Sequence, residues 1–130
     1  MSTVYVDTSA LARVLLDEPD KQVIGHSLSA FDRRVASRLL GVELRRVGLR
    51  RELTSRAETI LADVSLLPID EQTLAAAETL TPPGVGTLDA IHLATALRLA
   101  AEGGLDALMT YDKRLAQGAE EHGLTVLAPS

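Results

Sequence analysis

Residues 3–9, T-V-Y-V-D-T-S, are the stretch of this sequence that decides its fold. The first four are β-branched or aromatic, which favours a strand, and they stop at three residues that commonly cap the first turn of a helix. The strand lacks a polar face, which is typical of strands buried in a parallel sheet. The sequence therefore predicts a buried strand that passes directly into a helix at Asp7.

The same alternation of short apolar strands and amphipathic helices continues along the chain. Further strands are predicted at 34–37, 64–69, 107–110 and 125–127. Helices are predicted from Asp7 to near Pro19, at 20–30, 38–50, 54–63 and 71–79, from Thr87 to Gly103, and at 112–122. The pattern predicts an α/β fold with a parallel sheet that helices cover on both sides.

Size and composition limit the classes of protein to consider. A chain of 130 residues fits one domain, 1–130, and contains no cysteine, which excludes disulfides and thiolate metal sites. The sequence has no signal segment and no apolar run long enough to cross a bilayer, so we expect a soluble, cytoplasmic protein with no membrane association. With three aromatic residues in all, any bound nucleic acid must be held by charge and metal rather than by stacking.

Four carboxylates stand at positions where predicted elements would hold them rigidly. Asp7 and Asp112 follow strands, Asp89 lies in the first turn of a helix, and Glu43 lies within the helix predicted over 38–50. Ligands of parallel sheets bind at the carboxyl ends of the strands, where these acids would converge. Clustered carboxylates need protons or a cation to neutralise them, and oxygen ligands suit Mg²⁺ or Mn²⁺. The pattern predicts a divalent-cation site.

Each of these acids also has a purely structural interpretation. Asp7 and Asp112 could be helix N-caps, worth about 1 kcal/mol each, and Asp89 could complement a helix dipole. Glu43 shares a largely apolar helix face, where an ionised group is costly unless it is paired or bound to a cation. An arginine of the same helix, Arg46 or Arg50, is the structural partner that the sequence offers.

We interpret the polar neighbours of the acids primarily as structural residues. His92 lies three residues after Asp89, and we interpret it as a packed or hydrogen-bonded side chain rather than a metal ligand. Thr8, Ser9 and Thr110 flank the acids, and we interpret them first as caps and second as groups that position a water molecule or a phosphate.

The charge of the chain is unevenly distributed. The net charge is −5, but residues 33–56 contain eight arginines and two glutamates, a local charge of +6 that leaves −11 for the rest. This segment brackets Glu43 and either attracts a nucleic-acid backbone, forms a solvated helix face or docks an acidic partner. The arginines are Arg33, Arg34, Arg38, Arg45, Arg46, Arg50, Arg51 and Arg56.

Four motifs in order along the chain carry a family resemblance: V-Y-V-D-T-S-A-L at 4–11, V-E-L-R at 42–45, T-L-D-A-I-H-L-A-T-A-L at 87–97 and T-Y-D-K-R-L at 110–115. With them the chain resembles the PIN-domain family of metal-dependent nucleases, particularly the VapC-like toxins of toxin-antitoxin pairs. The resemblance implies a three-layer α/β/α fold with a central parallel sheet of four to five short strands.

The resemblance also implies a function and a site. It implies an endoribonuclease dependent on Mg²⁺ or Mn²⁺, with the acidic quartet at Asp7, Glu43, Asp89 and Asp112. Thr8 and Thr110 would fall on positions that line such a site. The implied partners are an RNA substrate, a cognate antitoxin and a second copy of the chain in a homodimer.

Three other classes of protein share part of this pattern. An aspartyl-phosphate phosphatase needs D-x-D after the first strand, but position 9 is Ser9. A phospho-accepting receiver domain needs an acceptor after the third strand, which Asp70 could supply, and a lysine after a late strand, for which Lys113 is a poor match. A catalytically degenerate PIN-like module would bind RNA or protein without cleaving, although all four acids are present.

Overall fold

Five parallel strands form the centre of the molecule, which is described here over residues 1–130 from a computed structural model. The order across the sheet is β3-β2-β1-β4-β5, and every neighbouring pair is parallel. The strands are β1 Thr3–Val6, β2 Arg33–Ser37, β3 Ser65–Leu67, β4 Ala107–Met109 and β5 Val126–Leu127.

Seven helices cover this sheet and complete the α/β/α architecture that the sequence predicts. The first four pack on one another, and the last three form a second group in which α6 contacts both α5 and α7. The helices are α1 Thr8–Leu15, α2 Lys21–Ser29, α3 Arg38–Arg50, α4 Thr54–Leu61, α5 Glu71–Glu78, α6 Thr87–Ala101 and α7 Lys113–Glu121. None of them combines the length and apolar character that a bilayer crossing requires.

The central strand β1 is inaccessible to solvent because it has a neighbour on each edge and helices on each face. Val4, Tyr5 and Val6 are all 0% exposed, and Val4 is in register with Arg34 of β2 and Ala107 of β4. The core around the strand is almost entirely aliphatic, as the composition requires, and Tyr5 is its one fully buried aromatic side chain. A hydroxyl at this depth needs a hydrogen-bond partner.

The strand order creates a switch point beside β1. The chain moves outward from β1 through β2 to β3 and then returns to place β4 on the opposite side of β1. Ligand sites of open α/β sheets lie at such reversals, at the carboxyl ends of the strands.

The strand order also excludes the receiver-domain alternative, because that fold has the order 2-1-3-4-5. Asp70, its candidate acceptor, instead caps α5 and forms an ion pair with Arg98.

Several predicted boundaries differ from the structure for local reasons. The first helix ends at Leu15 rather than near Pro19, and Asp17 soon afterwards adopts a positive φ of 60°. Strand β3 ends at Leu67, because Pro68 has no N–H for a ladder hydrogen bond. Thr87 is the first helical residue of α6 rather than its cap, which is Gly86.

Two helical glycines differ in how closely neighbouring side chains approach them. A Cβ on Gly118 of α7 would lie 2.8 Å from Val85 Cγ2 and 3.3 Å from Leu93 Cδ2, whereas a Cβ on Gly25 of α2 would meet nothing within 4 Å. We therefore expect Gly118→Ala to lower the free energy of unfolding by about 1–3 kcal/mol through overpacking. The matched variant Gly25→Ala should raise it by about 0.5–1 kcal/mol through helix propensity. Urea denaturation of both variants measures the difference, and equal effects would contradict the close approach of α7.

Candidate active site

Asp7 is the buried carboxylate at the end of the central strand. It is the N-cap of α1, and its side chain is 4% exposed. Its Oδ2 accepts hydrogen bonds from Ser9 Oγ at 2.7 Å, from Thr110 Oγ1 at 2.9 Å and from the Ser9 N–H at 3.3 Å. Its Oδ1 makes no hydrogen bond and is not fully enclosed by protein. One oxygen is therefore fixed and the other is open.

Ser9 connects Asp7 to the adjacent strand end. Its Oγ lies 3.2 Å from Thr110 Oγ1 and accepts a hydrogen bond from the Tyr111 N–H at 2.8 Å. Both hydroxyls therefore bind Asp7 and join the ends of β1 and β4. We interpreted Ser9 and Thr110 first as caps, and the structure shows a different main role: both hydroxyls bind the Asp7 side chain, which for Thr110 lies 103 positions away.

Glu43 is held by α1 and α6 rather than by an arginine. Its Oε1 accepts a hydrogen bond from Thr8 Oγ1 at 2.6 Å and lies 2.7 Å from His92 Nε2. The expected partners Arg46 and Arg50 make no ion pair with it, so that part of the structural interpretation was wrong. Burial acts to raise the pKa of Glu43, but the hydrogen bonds from His92 and Thr8 outweigh it, so the pKa lies below its ordinary value.

His92 is buried between β1 and α3, which confirms its interpretation as a hydrogen-bonded side chain. It is 1% exposed, and its Nδ1 lies 2.7 Å from Tyr5 Oη, with the two rings edge to face. The Ser37 N–H donates to the same Tyr5 Oη at 3.0 Å. Burial raises the pKa of Tyr5 far above its ordinary value, so the phenol keeps its proton and can donate.

Asp112 repeats the arrangement of Asp7 at the end of the neighbouring strand. It is the N-cap of α7, and its Oδ1 accepts a hydrogen bond from the Leu115 N–H at 2.9 Å. Its own N–H donates to Thr110 Oγ1 at 3.0 Å, which ties it to the Asp7 cluster. Its Oδ2 makes no hydrogen bond. This acid is thus also a cap with one oxygen left open.

Asp89 differs from the other three acids because neither of its oxygens has a hydrogen-bond partner. It lies in the first turn of α6 and is half-buried. Burial and the negative charges of Asp112 and Asp7, with a smaller contribution from Glu43, raise the pKa of Asp89 to about 6. The structure therefore brings all four predicted carboxylates into one electrostatically coupled group at the switch point.

The donor chemistry of this group fits a hard divalent cation. Every carboxylate has at least one open oxygen, and the mutual repulsion felt at Asp89 is what a bound cation would relieve. No three acidic or histidine side chains converge tightly enough to form a ready-made coordination shell. Mg²⁺ usually keeps several water ligands and takes only one or two carboxylates directly, so this spacing suits an ion held partly through water.

Comparison with known proteins identifies the family. The family model described as PIN domain matches residues 4–121. The chain belongs to the PIN-domain family. It is 37% identical to Ribonuclease VapC46 of Mycobacterium tuberculosis, with 100% of both chains covered. It is 38% identical to Ribonuclease VapC47 of the same species, over 97% of this chain and 96% of the relative.

Solved structures share the fold of this PIN domain at low sequence identity. A toxin-antitoxin complex from Klebsiella pneumoniae contains a chain with a TM-score of 0.76 and 19% identity, covering 98% of each chain. VapBC2 from Rickettsia felis, bound to a DNA fragment from its promoter, gives a TM-score of 0.71 and 11% identity over 98% of this chain and 99% of the other. These likenesses confirm the predicted fold class.

We expect Asp89→Asn to stabilise the metal-free PIN domain at neutral pH. A folded-state pKa of about 6, above the ordinary 3.8, means that the Asp89 contribution is fully favourable below about pH 4 and is lost as the pH rises through 6. Because the side chain is half exposed, solvent screening should limit the gain at pH 7.5 to about 1 kcal/mol.

Urea unfolding in EDTA at pH 4.5 and pH 7.5 measures this effect. The stability difference between the variant and the parent should widen toward pH 7.5. Asp63→Asn is the matched control, because Asp63 is exposed and its carboxylate makes no hydrogen bond. A difference that is the same at both pH values would contradict the electrostatic coupling.

Proposed function

We propose that this PIN domain is an endoribonuclease that hydrolyses RNA phosphodiester bonds with Mg²⁺ or Mn²⁺ and acts as the toxin of a toxin-antitoxin pair. The observation that carries the proposal is the group of four carboxylates with open oxygens where β1 and β4 end. The full-length relatives named Ribonuclease VapC support RNA as the substrate. The chains of similar fold in toxin-antitoxin complexes support a protein antitoxin as partner.

The open oxygens of Asp7, Glu43 and Asp89 would hold the cation, with Asp112 completing the site. When bound, the cation would lower the pKa of a water molecule and offset the charge that grows on the phosphate oxygens. Asp112 is our candidate for the group that orients or deprotonates the attacking water, because its Oδ2 is unbound and its backbone is fixed at the start of α7.

Ser9 and Thr110 would keep Asp7 in place for this task. Both hydroxyls donate to Oδ2 together with the Ser9 N–H, so the carboxylate cannot rotate without losing three hydrogen bonds. Preorganised ligands avoid reorganisation during the reaction. This arrangement favours an intact nuclease site over a degenerate binding module.

The basic segment contains arginines of two kinds. Three have structural partners: Arg34 donates to backbone carbonyls of Leu28 and Phe31, Arg45 pairs with Glu58, and Arg56 donates to Leu15 O. The side chains of the other five are exposed and make no ion pair or hydrogen bond. They are Arg33, Arg38, Arg46, Arg50 and Arg51.

Two of the exposed arginines lie on the side of α3 that contains Glu43. Arg46 and Arg50 follow Glu43 by three and seven residues, so helical periodicity places them one and two turns further along the same side. An RNA strand that enters the site would pass close to them. We infer that these two contact the phosphate backbone, while Arg33 at the opposite end of the sheet does not.

We also infer that the chain forms a single domain and that two copies form a homodimer, which the family resemblance implies. We infer a cytoplasmic location, where an RNA target and an antitoxin would be available. Light scattering of the purified chain, alone and with its antitoxin, tests the dimer.

Asp7→Asn and Asp89→Asn should each abolish RNA cleavage, because each removes a charged oxygen ligand while preserving the size of the side chain. The assay incubates purified protein with structured and total RNA in Mn²⁺, in Mg²⁺ or in EDTA, and circular dichroism verifies folding. Glu120→Gln, an exposed acid on α7, is the control that should cleave normally. Cleavage that persists in EDTA or in Asp89→Asn would show that the site assignment is wrong.

Replacing Arg46 and Arg50 by Gln should weaken RNA binding in a salt-dependent manner. Each lost contact to single-stranded RNA should reduce the slope of log affinity against log salt by about 0.7, so the double variant should lose about 1.4. Fluorescence anisotropy in an Asp89→Asn background measures binding without cleavage. Arg33→Gln is the control and should leave the slope unchanged. An equal loss in that control would indicate a general charge effect.

A further inference from the structure

We propose that His92 and Tyr5 are positioning residues that hold Glu43 in the conformation needed to bind the cation. The inference rests on the proposed function and assigns a task to two buried side chains that the four-carboxylate site does not include. Neither residue would touch the RNA. Their effect would pass through a single hydrogen bond, between His92 Nε2 and Glu43 Oε1.

The direction of the hydrogen bonds is set by the carboxylate. Glu43 Oε1 can only accept, so His92 Nε2, at 2.7 Å, carries a proton and donates to it. In the neutral ring Nδ1 is then the acceptor, and it accepts the proton of Tyr5 Oη at 2.7 Å. Tyr5 Oη in turn accepts from the Ser37 N–H, which can only donate. The network therefore ends in a donor aimed at the carboxylate.

This donor fixes which oxygen of Glu43 is open. Thr8 Oγ1 and His92 Nε2 both bind Oε1, so residues of α1 and α6 fix one oxygen while Oε2 stays free. Glutamate has three rotatable bonds, and its side chain here is 24% exposed, so without these contacts it could turn toward solvent. The network converts a flexible side chain into a preorganised ligand.

The same N–H also lies close to a second ligand. His92 Nε2 is 3.7 Å from Asp7 Oδ1, the open oxygen of that carboxylate. The imidazole edge thus lies beside both carboxylates, but only the shorter contact, to Glu43, is a hydrogen bond. Simple core packing does not require a histidine here, because an apolar side chain would fill the same volume without a polar edge.

Two amide variants separate the two edges of the ring. In His92→Gln the amide nitrogen reaches about as far as Nε2 and can still donate to Glu43, whereas in His92→Asn the shorter amide reaches only toward Tyr5. Both variants place the same polar group in the same buried site. Mn²⁺ affinity, measured by calorimetry on proteins shown to be folded by circular dichroism, is the main measurement, and RNA cleavage is the second.

We expect His92→Asn to lower Mn²⁺ affinity about 10- to 100-fold and His92→Gln to retain it within a few-fold. Tyr5→Phe keeps the ring and removes the hydroxyl, so it should cause a smaller loss. In a Glu43→Gln background, His92→Asn should cause no further loss, because the histidine acts through Glu43. Equal affinities for His92→Asn and the parent, or an undiminished loss in the Glu43→Gln background, would overturn the proposal.

The behaviour of the parent protein distinguishes a failure of the positioning role from a failure of the proposed function. If the parent protein binds Mn²⁺ and cleaves RNA and His92→Asn does both equally well, the positioning role is wrong and the proposed function stands. If the parent protein neither binds Mn²⁺ nor cleaves RNA, both the positioning role and the proposed function are wrong. Should His92→Asn fail to fold, Tyr5→Phe decides, because unchanged Mn²⁺ affinity in that variant contradicts the network.

Discussion

The whole arrangement depends on how a carboxylate is satisfied at the buried end of the central strand. Asp7 follows a strand with no solvent exposure, and an ionised group at such a place is costly without donors. Ser9 and Thr110 supply those donors and in doing so join α1 to the end of β4. The requirement of one charged group therefore helps to fix the helix and both strands that form the site.

Capping and metal binding are compatible at this site rather than competing explanations. For Asp7 and Asp112 the sequence leaves open whether the acid is an N-cap or a ligand. In the structure each uses one oxygen for backbone or hydroxyl donors and keeps the other open. The contacts that stabilise the helix start also restrict the carboxylate, so the structural role prepares the side chain for the chemical one.

The sequence predicts the fold of this chain well because its signals are local. A strand without a polar face, N-cap residues such as Asp7 and terminating glycines such as Gly123 depend on near neighbours. The four acids could be found for the same reason, at strand ends and in a first helical turn. The pairing of Glu43 with His92 could not, because the two are 49 positions apart and meet only where the folded sheet brings α3 and α6 to β1. The one available signal was a histidine that shares a helix face with Asp89, and it did not identify its partner.

The switch point has a consequence for when activity can arise during protein synthesis. Asp7 is translated long before Asp112, and Thr110 must be in place before Asp7 has both of its hydroxyl donors. A nascent chain that has left the ribosome only as far as α6 lacks the β4 neighbour of β1, the Thr110 donor to Asp7 and the Asp112 carboxylate. The site of this nuclease therefore cannot assemble on the ribosome until β4 and the start of α7 have emerged, although three of its four carboxylates are synthesised earlier.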